Sequence, residues 1–282
     1  MKRGKYTLRT LAAFFTVVLI SLCYLERAES ADLAHQFENP TLLSDMENSI
    51  YLSLSSFTWA EYDVNGAELL TESGPHVVIG AKTRAALTEA LTVQLKGELF
   101  GGNVDYDGQD IQTKMPVVSD ANYSGFTGEV DVGLKVIASQ RSALEPFAAI
   151  GLRWWKREVE DVSFIAGFLE KWSTVYTRLG IRGDHAYAED FRIFAEGGIK
   201  SPLSIKNKVD LTDRGLSDVT LKPGNKPSYF AEVGVKRKTM MASFYYEGMR
   251  FSRSNAKPIP GDLIWQPESE ADLFGLRLGV VF

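Results

Sequence analysis

Apolar and polar residues alternate with a period of two in short segments along most of the chain. In Leu91–Gly101, for example, the odd-numbered positions are Leu, Val, Leu, Gly, Leu and Gly, whereas positions 92 to 98 alternate through Thr, Gln, Lys and Glu. This period is typical of β-strands with one apolar and one polar face. Ten β-strands are predicted: Ile50–Tyr62, Pro75–Arg84, Leu91–Gly101, Phe126–Val136, Pro146–Arg157, Ser173–Arg182, Phe191–Lys200, Ser228–Lys236, Ala242–Phe251 and Asp272–Phe282.

Two kinds of connection join the predicted strands in strict rotation. The links after the even-numbered strands are short, and those after the odd-numbered strands are mostly long. A soluble β-sandwich gives no reason for this rotation, so the order favours an antiparallel up-and-down sheet. The short links are Ala85–Ala90, Ile137–Glu145, Gly183–Asp190 and Arg237–Met241, and the long ones are Asp63–Gly74, Gly102–Gly125, Glu158–Trp172, Ser201–Pro227 and Ser252–Ala271.

The final strand, ADLFGLRLGVVF, is apolar at every second position from Phe274 to Phe282 and ends on an aromatic residue. It resembles the C-terminal strand of bacterial outer-membrane β-barrel proteins. The resemblance implies an all-β transmembrane barrel of about ten strands, with long external loops, short periplasmic turns and both termini in the periplasm. It also implies that Phe282 is the signal recognised by the barrel-assembly machinery.

The first thirty residues have the pattern of a signal peptide. Four basic residues precede the apolar run Leu11–Leu22, and Ala28-Glu29-Ser30 provides a small-x-small cleavage pattern. The run is too short to span a bilayer as a helix. A lipoprotein signal ending at Cys23 is an alternative, although Leu22 fits a lipidation site poorly. We therefore expect a signal peptide at 1–30, a periplasmic segment at 31–49 and the barrel at 50–282.

Charge and cysteine content narrow the possible partners. Residues 1–30 carry five Lys/Arg and two Asp/Glu, so the remaining chain has 26 basic and 34 acidic residues, a net charge of −8. A surface of this charge disfavours nucleic acid. The single cysteine, Cys23, leaves with the signal, which suits an oxidising compartment. The expected protein is a monomer without a cofactor or metal, in contact with outer-membrane lipid and lipopolysaccharide.

The polar faces of the predicted strands carry many charges of both signs. A barrel of about ten strands is too narrow to leave an open aqueous channel, so these charges must pair or hold water. We expect an ion-pair network that plugs the lumen, with a narrow solute or ion pore as the alternative. The predicted lumen charges are Lys82, Arg84, Lys96, Glu98, Glu129, Asp131, Lys135, Arg153, Arg178, Arg182, Arg192, Glu196, Glu232, Lys236, Glu247 and Arg277.

Catalytic and metal sites have weak support in the sequence. Omptin proteases use acidic pairs and an Asp–His couple at the external rim, but the only Asp–His adjacency here, Asp184-His185, falls in a predicted periplasmic turn, and His35 precedes the barrel. Ser73 and His76 could form a nucleophile and base, although a turn explains them more simply. The acidic cluster Asp105, Asp107, Asp110 lacks the spacing of an EF-hand calcium loop.

Two apolar loop patches, Val162–Leu169 and Ile259–Gln266, are expected to pack on each other and cap the barrel. Binding of a partner by these patches is the alternative. The overall interpretation is an outer-membrane barrel with a structural or surface-interaction role and no enzymatic activity. The remaining alternatives are a pore and a hydrolase at the rim, either omptin-like or lipid-modifying.

Overall fold

Ten antiparallel strands, joined in sequence order, form a closed barrel in the computed structural model, which describes residues 46–109, 115–139, 141–162, 166–212 and 215–282. The predicted fold class is confirmed. Within these ranges no helix is long and apolar enough to cross a membrane. Strands 1 to 10 are Glu47–Tyr62, Glu68–Ala86, Leu91–Gln109, Pro116–Leu134, Ser142–Val159, Phe168–Ala188, Phe191–Asp210, Ser228–Arg237, Met240–Ser252 and Glu268–Val281.

The first and last strands close the ring. Strand 1 pairs with strand 10 over its whole length, and Asn48 and Phe282 exchange two backbone hydrogen bonds of 2.9 Å. If the register of strands 8 and 9 is continued two residues beyond Phe230–Glu247, the path of paired residues from Trp59 once around the barrel returns to strand 1 at Glu47, a shift of 12 residues (59 − 47). A shift of this size accompanies strands tilted by roughly 40°. The end that carries Glu47 and Phe282 is called the near end.

Inward and outward side chains alternate on every strand, as the sequence pattern predicts. On strand 1, Ile50, Leu52 and Leu54 point outward and are 40%, 55% and 60% exposed, whereas Tyr51 and Ser53 are buried inside the barrel. Comparable apolar outward residues surround the near half of the barrel. Exposed aliphatic side chains in a continuous belt are what a lipid-facing surface requires.

The outward face becomes polar in the far half of the barrel. Beyond Leu54 the outward residues of strand 1 are Ser56 and Thr58, and beyond Leu99 those of strand 3 include Asn103 and Asp105. The inward face stays buried there and includes apolar and aromatic side chains such as Val104, Tyr106, Ala121 and Tyr123. The far half therefore extends out of the apolar belt as a polar-faced barrel.

This extension corrects the prediction of long loops. Most of the predicted loop Gly102–Gly125 is strand, because strand 3 continues to Gln109 and strand 4 begins at Pro116. Strand 2 likewise begins at Glu68. The prediction was wrong because it treated outward polar residues as loop, although the period of two continues through them. The proposed lead-in 31–49 also ends earlier, since strand 1 begins at Glu47, and the predicted signal peptide lies outside the described residues.

Four short β-segments complete the far end. Val219–Leu221 pairs with strand 7, Gly224–Lys226 pairs with strand 9, and Lys257–Ile259 forms a hairpin with Asp262–Ile264. Ile259 and Ile264 of this hairpin pack against Val209, Leu211 and Leu221. Phe168, from the other predicted patch, packs against the interior cluster of the barrel instead. Phe168 and the hairpin residues Ile259 and Ile264 thus pack in different clusters, and residues 163–165 of the first patch lie outside the described ranges.

Candidate functional site in the barrel interior

Ion pairs cross the interior at the level of the apolar belt. Arg277 on strand 10 contacts Glu98 on strand 3 at 3.2 Å and Glu232 on strand 8 at 2.5 Å. Arg178 contacts Glu129 at 2.8 Å and Glu196 at 3.3 Å. Three of these pairs, Arg277–Glu98, Arg277–Glu232 and Arg178–Glu129, join strands that are not neighbours, so their side chains meet across the interior of the barrel.

Most predicted lumen charges take part in this arrangement. Arg182 contacts Asp131 at 2.7 Å and also pairs with Glu145, which in turn pairs with Arg84. Lys96 lies 3.4 Å from Glu98. Three further ion pairs also involve predicted charges: Arg153 with Glu247, Arg192 with Asp184, and Lys236 with Glu47. Glu247 pairs with Lys200 as well.

Two predicted residues lack such a pair, and several participants were missed. Lys82 points inward and Lys135 follows strand 4, and neither has an oppositely charged atom within 4.0 Å among the described residues. Glu145 and Lys200 were absent from the predicted set although each shares the inward parity of its strand. Glu47 was missed because it preceded the predicted start of strand 1. Parity alone would have identified Glu145 and Lys200.

An aromatic layer lies beyond the ion pairs, toward the far end. The ring centroid of Trp172 is 5.2 Å from that of Trp155, 5.4 Å from that of Trp59 and 5.5 Å from that of Phe251. All four side chains are almost fully buried. The four rings therefore form one packed layer inside the barrel.

A second polar network lies inside the far half, beyond the apolar belt. Arg157 donates from Nε to Glu72 at 2.9 Å and from Nη1 to Glu170 at 2.9 Å, and its Nη1 lies 3.6 Å from Glu61. Trp59 donates its indole N–H to Glu61 at 3.0 Å, and Trp172 does the same to Glu170 at 2.9 Å. One guanidinium therefore faces three carboxylates in a buried site.

This imbalance affects Glu61 most clearly. Glu61 is 5% exposed, and burial raises its pKa to about 7, with the nearby Glu170 and Glu72 carboxylates adding to the increase and Arg157 opposing it. Protonation of one carboxylate relieves the cost of placing three negative charges beside a single positive one. Glu61, Glu72 and Glu170 were absent from the sequence-based set. Glu72 and Glu170 fell in predicted loops, whereas Glu61 lay inside the predicted strand Ile50–Tyr62, on its inward parity, and was overlooked.

The residues of the hydrolase alternative do not form a site. Ser73 is exposed on the outer face, whereas His76 is fully buried in the interior, where its ring stacks on Phe57 at a centroid distance of 4.2 Å. Neither ring nitrogen of His76 has a hydrogen-bond partner in the described structure. Asp184 and His185 lie in strand 6 rather than in a turn, on opposite faces; Asp184 pairs with Arg192, and His185 contacts the Ser142 hydroxyl.

The proposed cation loop is also dispersed. Asp105 and Asp107 are exposed on the outer face of strand 3, and Asp110 lies outside the described residues. No group of three or more His, Cys, Asp or Glu side chains in the described ranges has a geometry suited to a metal ion. The near end contains a cavity of about 40 Å³ whose lining includes Glu47, Lys82 and Lys236.

Comparisons with known proteins agree with this architecture. No protein-family model and no curated protein sequence matches the chain. Among solved structures, the outer-membrane protease OmpT from Escherichia coli is similar with a TM-score of 0.53 and 11% identity, covering 87% of this chain and 99% of that one. The transport unit of the autotransporter AIDA-I from Escherichia coli gives a TM-score of 0.43 with 8% identity, covering 92% and 97%. A FadL homologue from Pseudomonas aeruginosa gives 0.33 with 8% identity, covering 88% and 94%.

Only the similarity to OmpT is high enough to bear on the fold, and at 11% identity it bears on nothing else. Together with the closed ladder and the apolar belt, it agrees with the resemblance carried by the final strand. The chain has the fold of bacterial outer-membrane β-barrel proteins.

Proposed function

We propose that this protein is an outer-membrane barrel with a blocked lumen, whose far end is an interaction surface outside the cell. The observation that carries the proposal is the filled interior, in which ion pairs such as Arg277–Glu98 span the barrel below a layer of buried aromatic rings. A channel would need a continuous wet path, and both layers oppose one. The exposed polar far half then remains as the surface available to partners.

The lengths of the connections support this orientation. Near-end strands are joined by short links such as Glu189–Asp190 and Lys238–Thr239, whereas the far-end links include the longer stretches 211–227 and 253–267. Short turns on the periplasmic side and longer segments outside are the usual asymmetry of outer-membrane barrels. We therefore infer that both ends of the barrel chain lie in the periplasm.

The blocked lumen is tested by single-channel recording of the refolded barrel in a planar bilayer. We expect no unitary openings from protein whose folding is shown by a heat-dependent gel shift. Arg178→Glu reverses a charge inside the barrel, and Lys206→Glu makes the same change on the outer face. Regular openings in the wild type, with an ion selectivity altered by the first variant and not by the second, would establish a pore instead.

The orientation is tested by cysteine labelling in intact cells. Asp107→Cys places a thiol on the exposed far-end face, and Lys238→Cys places one in a near-end turn. A membrane-impermeant maleimide should label the first variant and leave the second unlabelled until the cells are broken. The opposite pattern would place the interaction surface in the periplasm and overturn this part of the proposal.

A further inference from the structure

Three neighbouring interior side chains carry buried polar atoms without a partner. Thr127 on strand 4 lies opposite Arg153 on strand 5, which lies opposite Thr174 on strand 6. These residues are 2%, 6% and 4% exposed, and Thr127 Oγ1, Arg153 Nε and Thr174 Oγ1 have no hydrogen-bond partner in the described structure. Buried polar atoms nearly always make hydrogen bonds, so three in one row provide the polar groups of a candidate binding site.

A small cavity adjoins this row. Its volume is about 10 Å³, close to what one water molecule needs by this measure. Its lining combines the polar side chains of Arg153, Thr174, Tyr176, Lys200 and Ser228 with the apolar side chains of Pro202, Met249 and Phe251. Tyr176 and Ser228 already donate to Glu129 and to the Lys200 carbonyl. The Arg153 Nε–H has no acceptor, which favours an acceptor as the occupant.

Two cationic side chains share one carboxylate beside the cavity. Arg153 and Lys200 share the carboxylate of Glu247, which lies 3.9 Å from Arg153 Nη1 and pairs directly with Lys200. A carboxylate or phosphate oxygen entering the cavity would accept the unused Arg153 Nε–H in a charge-assisted hydrogen bond.

The barrel wall is interrupted next to the cavity. Pairing between strands 7 and 8 ends at Lys200 and Ser228, and the prolines that follow on the far side, Pro202 and Pro227, have no N–H with which to continue it. The pairing of strands 6 and 7 also shifts register here, between Val175 and Tyr176. Because Lys200, Pro202 and Ser228 line the cavity, the interruption leads directly into it.

Apolar side chains flank this interruption on the outer face. Leu203 is 54% exposed and Tyr229 is 67% exposed, and both lie where the apolar belt ends. An aromatic ring and an aliphatic side chain at this boundary suit contact with lipid near the headgroups. A molecule with an anionic group and an alkyl chain could therefore place the former in the cavity and the latter between these two residues.

We propose that the row formed by Thr127, Arg153 and Thr174 is a binding site for an oxyanion, a carboxylate or phosphate, reached from the side between strands 7 and 8. The cavity holds one oxygen-sized group, so the rest of the ligand lies in the interruption of the wall. Both a membrane amphiphile and a free anion present this chemistry.

Tryptophan quenching can locate the ligand. In a Trp154→Phe/Trp265→Phe background, the remaining tryptophans, at 59, 155 and 172, are all buried in the interior. The Trp155 ring centroid lies 5.9 Å from Arg153 Cζ. The probe 2-bromododecanoate carries its heavy-atom quencher beside the carboxylate. We expect saturable quenching in barrels held in nanodiscs whose lipid is not brominated.

Substitutions and competitors then test the site and the source of the ligand. Arg153→Gln should raise the apparent Kd obtained from the quenching titration by about tenfold or more, as expected for the loss of a charged hydrogen bond. Thr174→Val should raise this Kd by a smaller factor. Lys206→Gln, on the outer face, removes the same charge and should leave binding unchanged. Displacement by dodecanoate alone identifies a membrane amphiphile, whereas displacement by acetate or inorganic phosphate identifies a free anion.

Two outcomes would overturn the proposal. One is the absence of saturable quenching in barrels whose folding is shown by gel shift. The other is quenching that is equally strong in the folded Thr174→Val and Arg153→Gln variants.

Discussion

The buried cluster around Arg157 makes the stability of the barrel depend on pH through Glu61. Its pKa in the folded protein is about 7, against 4.5 for the ordinary group, because burial disfavours the charged form. Below pH 4.5 the carboxyl is protonated in both states and contributes no penalty. As the pH rises from 4.5 to 7, the unfolded chain loses this proton while the folded protein retains it, so stability decreases.

The size of the effect follows from the difference in pKa. A pKa difference of about 2.5 units corresponds to at most about 3–4 kcal/mol, since one unit is about 1.4 kcal/mol. Glu61→Gln removes the titration and keeps an oxygen that can accept the indole N–H of Trp59. Between pH 5 and pH 8 the wild type should therefore lose roughly 2–3 kcal/mol of unfolding free energy relative to this variant.

The assay is denaturant unfolding of the lipid-embedded barrel, followed by tryptophan emission at pH 5, 6, 7 and 8. Trp59 and Trp172 report directly, because each donates a hydrogen bond within the cluster. Glu158→Gln is the control, since Glu158 is exposed on the outer face of strand 5. The quantity compared is the free energy of unfolding of the wild type minus that of Glu61→Gln. The reasoning would be refuted if this difference stayed constant over the pH range, or if it increased as the pH rises.

Three further perturbations test other parts of the structure. Arg157→Met leaves three buried carboxylates without their cation and should lower the free energy of unfolding by about 3–5 kcal/mol in a denaturant titration. The control Lys156→Gln, on the outer face of the same strand, should lower it by less than about 0.5 kcal/mol. Gly151→Ala places a Cβ 2.4 Å from the Tyr176 ring and should lower the free energy of unfolding by about 1–3 kcal/mol. Gly97→Ala is the control, because its Cβ meets nothing within 4 Å, and it should be neutral or slightly stabilising. Deletion of Phe282 should reduce the heat-modifiable barrel recovered from outer membranes, and unchanged recovery would argue against its role in assembly.

The alternation of apolar and polar residues was sufficient to predict the barrel. Every strand was located, and the inward faces were assigned correctly because a period of two leaves only two choices of face. The strands of the far half were not predicted, because there the inward positions carry apolar residues and the outward positions carry polar ones, as at Val104 and Asp105. The alternation keeps its period of two, but the apolar residues lie on the inward face and not on the outward one. The same strands can therefore continue beyond the lipid-facing belt.

The partners of the charged residues could not be predicted in the same way. A contact such as Arg277–Glu98 depends on the register shift around the whole ring, and no local pattern records that shift. The cluster around Arg157 was hidden for a further reason, since Glu72 and Glu170 lay in segments assigned to loops. Parity identifies which side chains share the interior, and the register decides which of them meet.

The strand character of the far half affects how other molecules can recognise this protein. Successive residues such as Val104 and Asp105 point to opposite sides of the wall, so only every second residue of a strand is available on the outside. An antibody or phage that binds this region would contact side chains from several adjacent strands, far apart in sequence. Linear peptides copied from these segments should therefore compete poorly, and proteases should find few extended segments to cleave in the folded protein.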